Sequence, residues 1–358
     1  MTKISIGLQL CKIITGGLLQ MVYNFKNLVF EGGGVLGVAY IGVIEVLTNN
    51  NYNILPKIER VGGTSAGAIV ALLVGLNYSF DNIKDELERM DLKKFMDDDL
   101  LFTLNTARFL HTYGWFKGDI ILHWIEEKIF EKTGSRDSTF ADIQKLKATR
   151  KFKDLYFVGT NLSTHFSKTF SHEETPDMRV ADAVRISMSI PLFFEAVKYG
   201  GNIYADGGIL MNYPIRLFDL EKYLSKPENG LNKEYYLERS DIKEKVSFNM
   251  ETLGFRVDSK ILKDVLSGAI PPKEHDISNM YEFTKNLVGT ILDFQQNISL
   301  NSDDKARTVF IDSNEISSTN FNITSEQKEG LIKSGRENTL KYFELFNNPE
   351  IDWLNRPN

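Results

Sequence analysis

The chain contains one cysteine, Cys11, in 358 residues. It therefore has no internal disulfide and cannot build a cysteine-based zinc cluster, which is compatible with a reducing cytosol. Histidine is also scarce, with five residues, and none lies in a glycine-framed turn. The formal net charge of -6 lacks the basic excess that is typical of nucleic-acid binding, so no nucleic-acid partner is expected.

Residues 1–26 lack the run of about 18 apolar residues that a membrane-spanning helix needs. Lys12 and Gln20 interrupt an otherwise apolar stretch, and no signal-peptide cleavage site is evident. We interpret 1–26 as an apolar leader that is either disordered or lies on a membrane surface as a helix. Gly16 and Gly17 disfavour the helix.

Two glycine-rich turns, at 31–37 and 62–67, each separate an apolar strand pattern from an apolar helix pattern. The pattern over residues 27–76 therefore predicts a strand, a turn and a helix, twice in succession, on a mostly parallel sheet. Both turns would open at the carboxyl edge of that sheet, where ligands bind in such folds.

The second turn, Gly63-x-Ser65-x-Gly67, has the form of a nucleophile elbow. A sharp strand-to-helix turn exposes the serine hydroxyl, and the dipole of the following helix favours developing alkoxide character. This short pattern also arises by chance in a chain with 26 glycines, so it does not identify a nucleophile by itself.

The first turn offers backbone N–H groups to an anion, either a phosphate or the oxyanion of an acyl-transfer intermediate. Its spacing after a strand also fits a dinucleotide-binding fingerprint, with Glu59 at about the right distance to hold a ribose. That alternative leaves Ser65 unexplained. The glycines concerned are Gly32, Gly33, Gly34 and Gly37.

A third turn, Asp206-Gly207-Gly208, follows the short strand pattern 202–206. The two glycines allow a sharp turn, so the carboxylate would stand at the sheet edge facing Ser65. On its own, an Asp before two glycines is more typical of an ordinary surface turn.

These three turns, in this order, resemble the motifs of the patatin-like phospholipases: GGGxxG, GxSxG and DGGxxxNxP. The resemblance covers about residues 27–345. It implies a three-layer α/β/α fold with a central, mostly parallel sheet and a Ser-Asp dyad at the carboxyl edge of the strands. Further segments that resemble the family are Arg185–Phe194, Thr252–Val257, Arg307–Asp312 and Phe321–Phe343.

The resemblance also implies a mechanism, in which Ser65 attacks a lipid ester carbonyl and Asp206 accepts its proton. A carboxylate with an ordinary pKa of about 4 is a poor base near neutral pH, so Asp206 must be partly desolvated. The loop of Gly32, Gly33, Gly34 and Gly37 would supply the oxyanion hole, with structural support from Gly63, Gly67, Gly207 and Gly208.

No metal or cofactor is implied, and hydrolysis would not need calcium. The implied partner is a phospholipid or a related glycerolipid, reached by transient contact with a membrane surface. The implied location is the cytoplasm with peripheral membrane association, and a secreted effector is an alternative.

Two positions bear on the details of the resemblance. Leu36 stands where many family members carry Arg or Lys, which weakens a strict preference for phospholipids and keeps neutral glycerolipids open. Glu31 occupies the family's leading acidic position, and we interpret it as a residue that orders the loop.

Two other functions remain open at this point. One is an α/β-hydrolase esterase that uses Ser65, an acid and His275 as a triad. The other is an inactive membrane-binding or nucleotide-binding protein that keeps the glycine loops for phosphate contact.

The predicted domain boundaries follow the motifs. We expect one principal domain over 27–345, with all catalytic motifs in 27–217, and a carboxyl-terminal tail over 346–358. The aromatic segment 95–117 is predicted to cover the site and contact lipid.

Overall fold

The computed structural model describes most of the chain. The described residues are 12–15, 18–21, 23–90, 113–237, 244–297, 300–348 and 350–351.

A mixed eight-stranded sheet forms the centre of the molecule, in the order β14-β13-β3-β4-β6-β10-β9, with β7 paired to β6. The five strands from β14 to β6 are parallel, whereas β10, β9 and β7 are antiparallel to their neighbours. The described strands are β1 Lys12–Thr15, β2 Leu18–Met21, β3 Asn27–Phe30, β4 Arg60–Gly63, β5 Gly114–Phe116, β6 Asp154–Asn161, β7 Phe166–Ser171, β8 Leu192–Phe194, β9 Val197–Tyr199, β10 Asn202–Asp206, β11 Gly230–Leu231, β12 Phe248–Asn249, β13 Thr252–Asp258 and β14 Thr308–Asp312.

Helices cover both faces of this sheet, as the predicted three-layer fold requires. Most α-helices pack on one face, against a large core that includes Phe30, Tyr40 and Phe255. The described α-helices are Tyr40–Thr48, Ala66–Gly75, Phe80–Arg89, Asp119–Thr133, Phe140–Arg150, Val180–Ser187, Glu234–Leu237, Lys260–Leu266, Met280–Asn297, Ser302–Ala306 and Ser325–Asn347.

The opposite layer is thinner. Its short 3-10 helix Glu221–Tyr223 packs with Phe218 against Val29 and Tyr156 of the sheet. Strand β3 is therefore buried along its whole length, which explains its continuous apolar pattern. The predicted fold class is confirmed.

Two local predictions need correction. The helix predicted after the first glycine turn begins as a 3-10 helix, Gly34–Ala39, and becomes an α-helix only at Tyr40. The helix considered for the leader is wrong for the part that is described, because β1 and β2 pair as an antiparallel hairpin. Most of the predicted cover at 95–117 lies outside the described residues, and its end forms β5, which pairs with β8.

The closing helix spans Ser325–Asn347, and Thr324 and Gln327 form a capping box at its start. Phe346, near its end, is buried in the core. No helix within the described residues combines the length and the apolar character needed to cross a membrane.

Candidate active site

The three glycine-rich turns meet at the carboxyl edge of the sheet. Phe30 at the end of β3 pairs with Gly63 at the end of β4, so the first two turns start side by side. Asp206 at the end of β10 pairs with Gly159 of β6, the neighbour of β4. The topology thus brings the serine and the aspartate turns to one place.

Ser65 occupies a strained turn. Its φ of 52° and ψ of -124° lie in a region that residues with a side chain rarely adopt, and the helix Ala66–Gly75 begins directly after it. Gly67 is required there, because a Cβ atom on it would come within 2.4 Å of the Phe30 carbonyl oxygen. The turn has the geometry expected of a nucleophile elbow.

A neighbouring hydroxyl fixes this turn. The Ser65 N–H donates to Ser187 Oγ at 3.0 Å, and the Ser187 hydroxyl donates to the Val158 carbonyl at 2.7 Å. Ser187 ties the elbow to β6. It lies in the segment before Asp206, but sequence reasoning assigned it no role.

The first glycine turn leaves backbone donors unused. Gly32 N–H donates to the Asn212 carbonyl at 3.0 Å, and Val35 N–H donates to the Ser318 carbonyl at 3.2 Å. Between them, the N–H groups of Gly33 and Gly34 have no acceptor in the described part of the chain. Both residues line the same small cavity as Ser65.

Gly34 has a conformational reason to be glycine, with a φ of 52° and the Ser318 carbonyl oxygen 2.3 Å from where a Cβ would stand. Gly37 lies against Ala66, because a Cβ on Gly37 would be 2.9 Å from the Ala66 Cβ. The Ala66 N–H, directly after Ser65, also has no acceptor among the described residues. It is a third candidate oxyanion donor that the sequence argument missed.

Asp206 is 4% exposed. Its Oδ1 accepts the Gly208 N–H at 2.7 Å, while Oδ2 has no hydrogen-bond partner of standard geometry within the described residues. Burial raises the pKa of Asp206 to about 7, against the opposing effects of the Ser65 side chain and the Gly208 N–H. Ser65 and Asp206 line the same small cavity.

Asn212 joins the two halves of the site. It is almost fully buried. Its side-chain Nδ2 donates to the Gly32 carbonyl at 2.9 Å, and its backbone carbonyl oxygen accepts the Gly32 N–H. This pair of bonds holds the first glycine loop against the loop that follows Asp206. The motif DGGxxxNxP contains Asn212, and that was the available signal for its role.

Glu31 has its carboxylate tied to the sheet. Oε2 accepts the Val257 N–H at 2.9 Å, and Oε1 lies 3.8 Å from Arg256 Nε. Burial raises the pKa of Glu31 to about 8, and Arg256 opposes that shift. These contacts support the interpretation of Glu31 as a residue that orders the loop.

Two cavities meet at Ser65. The larger has a volume of about 310 Å³ and is mainly apolar. The smaller, about 30 Å³, contains Asp206, Gly33 and Gly34 and has room for one or two water molecules. The apolar side chains lining the larger cavity include Val38, Ile69, Val70, Ile121, Met188 and Phe193.

The residues of the alternative functions lie elsewhere. Glu59 precedes β4, at the strand end opposite the glycine loop, and it pairs with Lys26 at 2.9 Å. It therefore cannot hold a ribose beside that loop. His275 is exposed and lines neither cavity. Within the described ranges, no three acidic, histidine or cysteine side chains are grouped as metal ligands.

Comparisons with known proteins agree with this geometry. A family model described as patatin-like phospholipase matches residues 28–219. An uncharacterized protein of Acanthamoeba polyphaga mimivirus is 30% identical over 316 residues, which cover 87% of this chain and 91% of that protein. The probable lipid hydrolase 463L of Invertebrate iridescent virus 6 is 29% identical over 53% of this chain and 62% of its own length.

Among solved structures, VipD from Legionella pneumophila has a similar fold. The TM-score is 0.53 with 19% sequence identity, and the match covers 90% of this chain and 67% of that chain.

Proposed function

The chain belongs to the patatin-like phospholipase family of lipid hydrolases, and we propose that it cleaves carboxylic ester bonds of phospholipids or related glycerolipids with Ser65 and Asp206. One observation carries the proposal. A strained serine, a buried aspartate and three backbone N–H groups lie together beside an apolar cavity, and Asp206 Oδ2 and those N–H groups have no hydrogen-bond partner in the part of the chain that is described. We further propose that the catalytic domain spans 27–345.

In the first half-reaction, Ser65 Oγ attacks the ester carbonyl and its proton passes to Asp206 Oδ2. The carbonyl oxygen becomes an oxyanion, which the N–H groups of Gly33, Gly34 and Ala66 stabilise. Collapse of this intermediate breaks the ester bond, and protonated Asp206 gives its proton to the departing alkoxide. An acyl group then remains on Ser65.

In the second half-reaction, water enters the smaller cavity beside Asp206. Asp206 removes a proton from the water, which attacks the acyl carbonyl, and the same oxyanion donors act again. Asp206 finally returns the proton to Ser65 Oγ, and the fatty acid leaves. A pKa of about 7 suits this exchange, because a group that both takes and gives a proton works best near the ambient pH.

The larger cavity suits an acyl chain, since its wall is mainly apolar and reaches Ser65. Lys328 is the one cationic side chain that lines it in the described part of the chain, and its Nζ donates to the Glu88 carbonyl at 2.9 Å. With Leu36 at the loop position where a cation is common in the family, the described residues that line the cavity offer an anionic headgroup no cation other than Lys328. We therefore propose zwitterionic or neutral lipids as substrates.

No step of the proposed reaction uses a metal ion, so we propose that the reaction is independent of calcium. Fatty-acid release would be measured from phosphatidylcholine vesicles and from a neutral glyceride emulsion, with EDTA present. We expect Ser65→Ala to lower release by at least about a thousandfold on both, and His275→Ala to leave it unchanged. Loss of activity in His275→Ala, or full activity in Ser65→Ala, would overturn the proposed site.

A further inference from the structure

An apolar stripe lies on the outer face of the Met280–Asn297 helix, which we call the covering helix. Four side chains at helical spacing are exposed there: Met280 by 52%, Phe283 by 47%, Leu287 by 40% and Phe294 by 64%. The segment before the helix adds exposed Leu266, Ile270 and Ile277. Contiguous apolar surface of this kind is uncommon on a protein unless it contacts another apolar surface.

The inner face of the same helix belongs to the candidate active site. Val288, Ile291 and Leu292 line the smaller cavity, which also contains Asp206. Gln295 Nε2 donates to the Ile209 carbonyl at 3.0 Å, in the turn that follows Asp206. One helix thus has an inner face on the dyad and an outer face in solvent.

We propose that the outer face of the covering helix docks on the surface of a zwitterionic lipid aggregate. The inference rests on the proposed function, because a lipid hydrolase must meet its substrate at such a surface. It commits to lipid because the helix that carries the stripe also lines the smaller cavity with Ser65 and Asp206. With the stripe on the surface, a lipid has to cross only about the 10 Å thickness of one helix to reach the dyad.

Charge favours an uncharged surface over an anionic one. The chain carries a net charge of -6. Within 260–297 the basic residues do not exceed the acidic ones, so docking depends on apolar insertion rather than on basic residues. The basic residues of this segment, apart from His275, are Lys260, Lys263, Lys273 and Lys285, and the acidic ones are Asp264, Glu274, Asp276, Glu282 and Asp293.

The test uses the full chain with Ser65→Ala, so that vesicles stay intact during binding. Sedimentation with phosphatidylcholine vesicles would compare this protein with one that also carries Phe283→Ser and Phe294→Ser. The matched control is Phe130→Ser, an exposed phenylalanine on another helix. Phe130 lies near the end of the Ala66–Gly75 helix that is remote from Ser65. Tyr78 follows that end, and its hydroxyl donates to the carbonyl of Lys128, two residues before Phe130.

We expect the double substitution to weaken vesicle binding at least tenfold and the control to leave it unchanged. With Ser65 intact, the double substitution should lower the ratio of vesicle hydrolysis to hydrolysis of p-nitrophenyl butyrate by a similar factor. Added salt should not reduce binding, because no ion pair is involved.

Three outcomes would overturn the docking surface. They are unchanged vesicle binding by the double variant, binding that requires anionic lipid and is lost in salt, and a wild-type dimer that the two substitutions dissociate. The binding assay does not depend on catalysis. Failure of the proposed function would instead appear as wild-type protein that binds vesicles through this helix and releases no fatty acid from any ester.

Discussion

Glu31 and Asp206 are two buried carboxyl groups beside the same glycine loops, and they differ in what occupies their oxygens. Burial raises both pKa values, to about 8 for Glu31 and about 7 for Asp206. Glu31 contacts Val257 N–H, Arg256 and Asn212, whereas Asp206 keeps Oδ2 without a partner among the described residues. Desolvation alone therefore does not make a base, because a base also needs a free oxygen beside the nucleophile.

The different contacts of the two acids also explain why one site contains both carboxyl groups. Glu31 fixes the start of the first glycine loop to β13 through the Val257 N–H. Asp206 stands at the end of β10, anchored by its backbone N–H to the Ser189 carbonyl and by its carbonyl to the Thr160 hydroxyl. One acid positions the loop, and we propose that the other exchanges a proton.

The largest expected difference between the two acids is in the rate of hydrolysis. We expect Asp206→Asn to lower kcat for a soluble ester by about a thousandfold or more, because the amide cannot accept the Ser65 proton. Glu31→Gln should cost less than about tenfold, since the amide oxygen can still accept the Val257 N–H that fixes the loop. Steady-state kinetics on p-nitrophenyl butyrate would measure both, with circular dichroism to show that each variant folds. Equal losses in the two variants would contradict the division of roles.

The pH dependence of the rate should also distinguish the two acids, and the expected difference is smaller than that in kcat. Asp206 must be unprotonated to act as a base, so kcat/KM should rise about tenfold per pH unit below about pH 7 and then level off. Glu31→Gln should keep that midpoint, because Glu31 takes no proton from the substrate. A wild-type profile that is already flat from about pH 5 would show that Asp206 has an ordinary pKa and would remove the argument from burial.

Much of this site could be predicted from local sequence, because each motif is a short turn whose shape depends on its own residues. Gly63, Ser65 and Gly67 form the elbow that their spacing indicates. The strand that ends at Asp206 was also predicted, as was the burial of its carboxylate.

The parts that sequence reasoning missed depend on contacts between distant segments. Asn212 forms a hydrogen bond with Gly32, and Ser187 forms one with Ser65. The partners lie far apart in the sequence, so no periodic sequence pattern predicts these contacts. The position of the covering helix beside Asp206 follows from how the β13 to β14 connection packs. The cover predicted at 95–117, where the aromatic residues are concentrated, stays a prediction.

The smallest expected effect is on stability, and it tests whether Glu31 carries a proton in the folded state. An acid whose pKa rises on folding binds its proton more tightly in the folded chain. Its contribution to the free energy of unfolding is therefore fully present below the unfolded pKa and is lost as pH rises toward the folded value. For Glu31 this window runs from 4.5 to about 8.

Wild-type stability should accordingly fall across that window, by an amount of the order of a few kcal/mol for Glu31. Glu31→Gln should show a flatter dependence, because glutamine does not titrate. Urea unfolding at a series of pH values would measure both slopes, with Asp206→Asn as the companion variant that flattens the curve between 3.8 and about 7. If the Glu31→Gln slope equals the wild-type slope, or if wild-type stability rises with pH, then Arg256 outweighs burial, Glu31 is ionised, and the two acids differ in charge as well as in contacts.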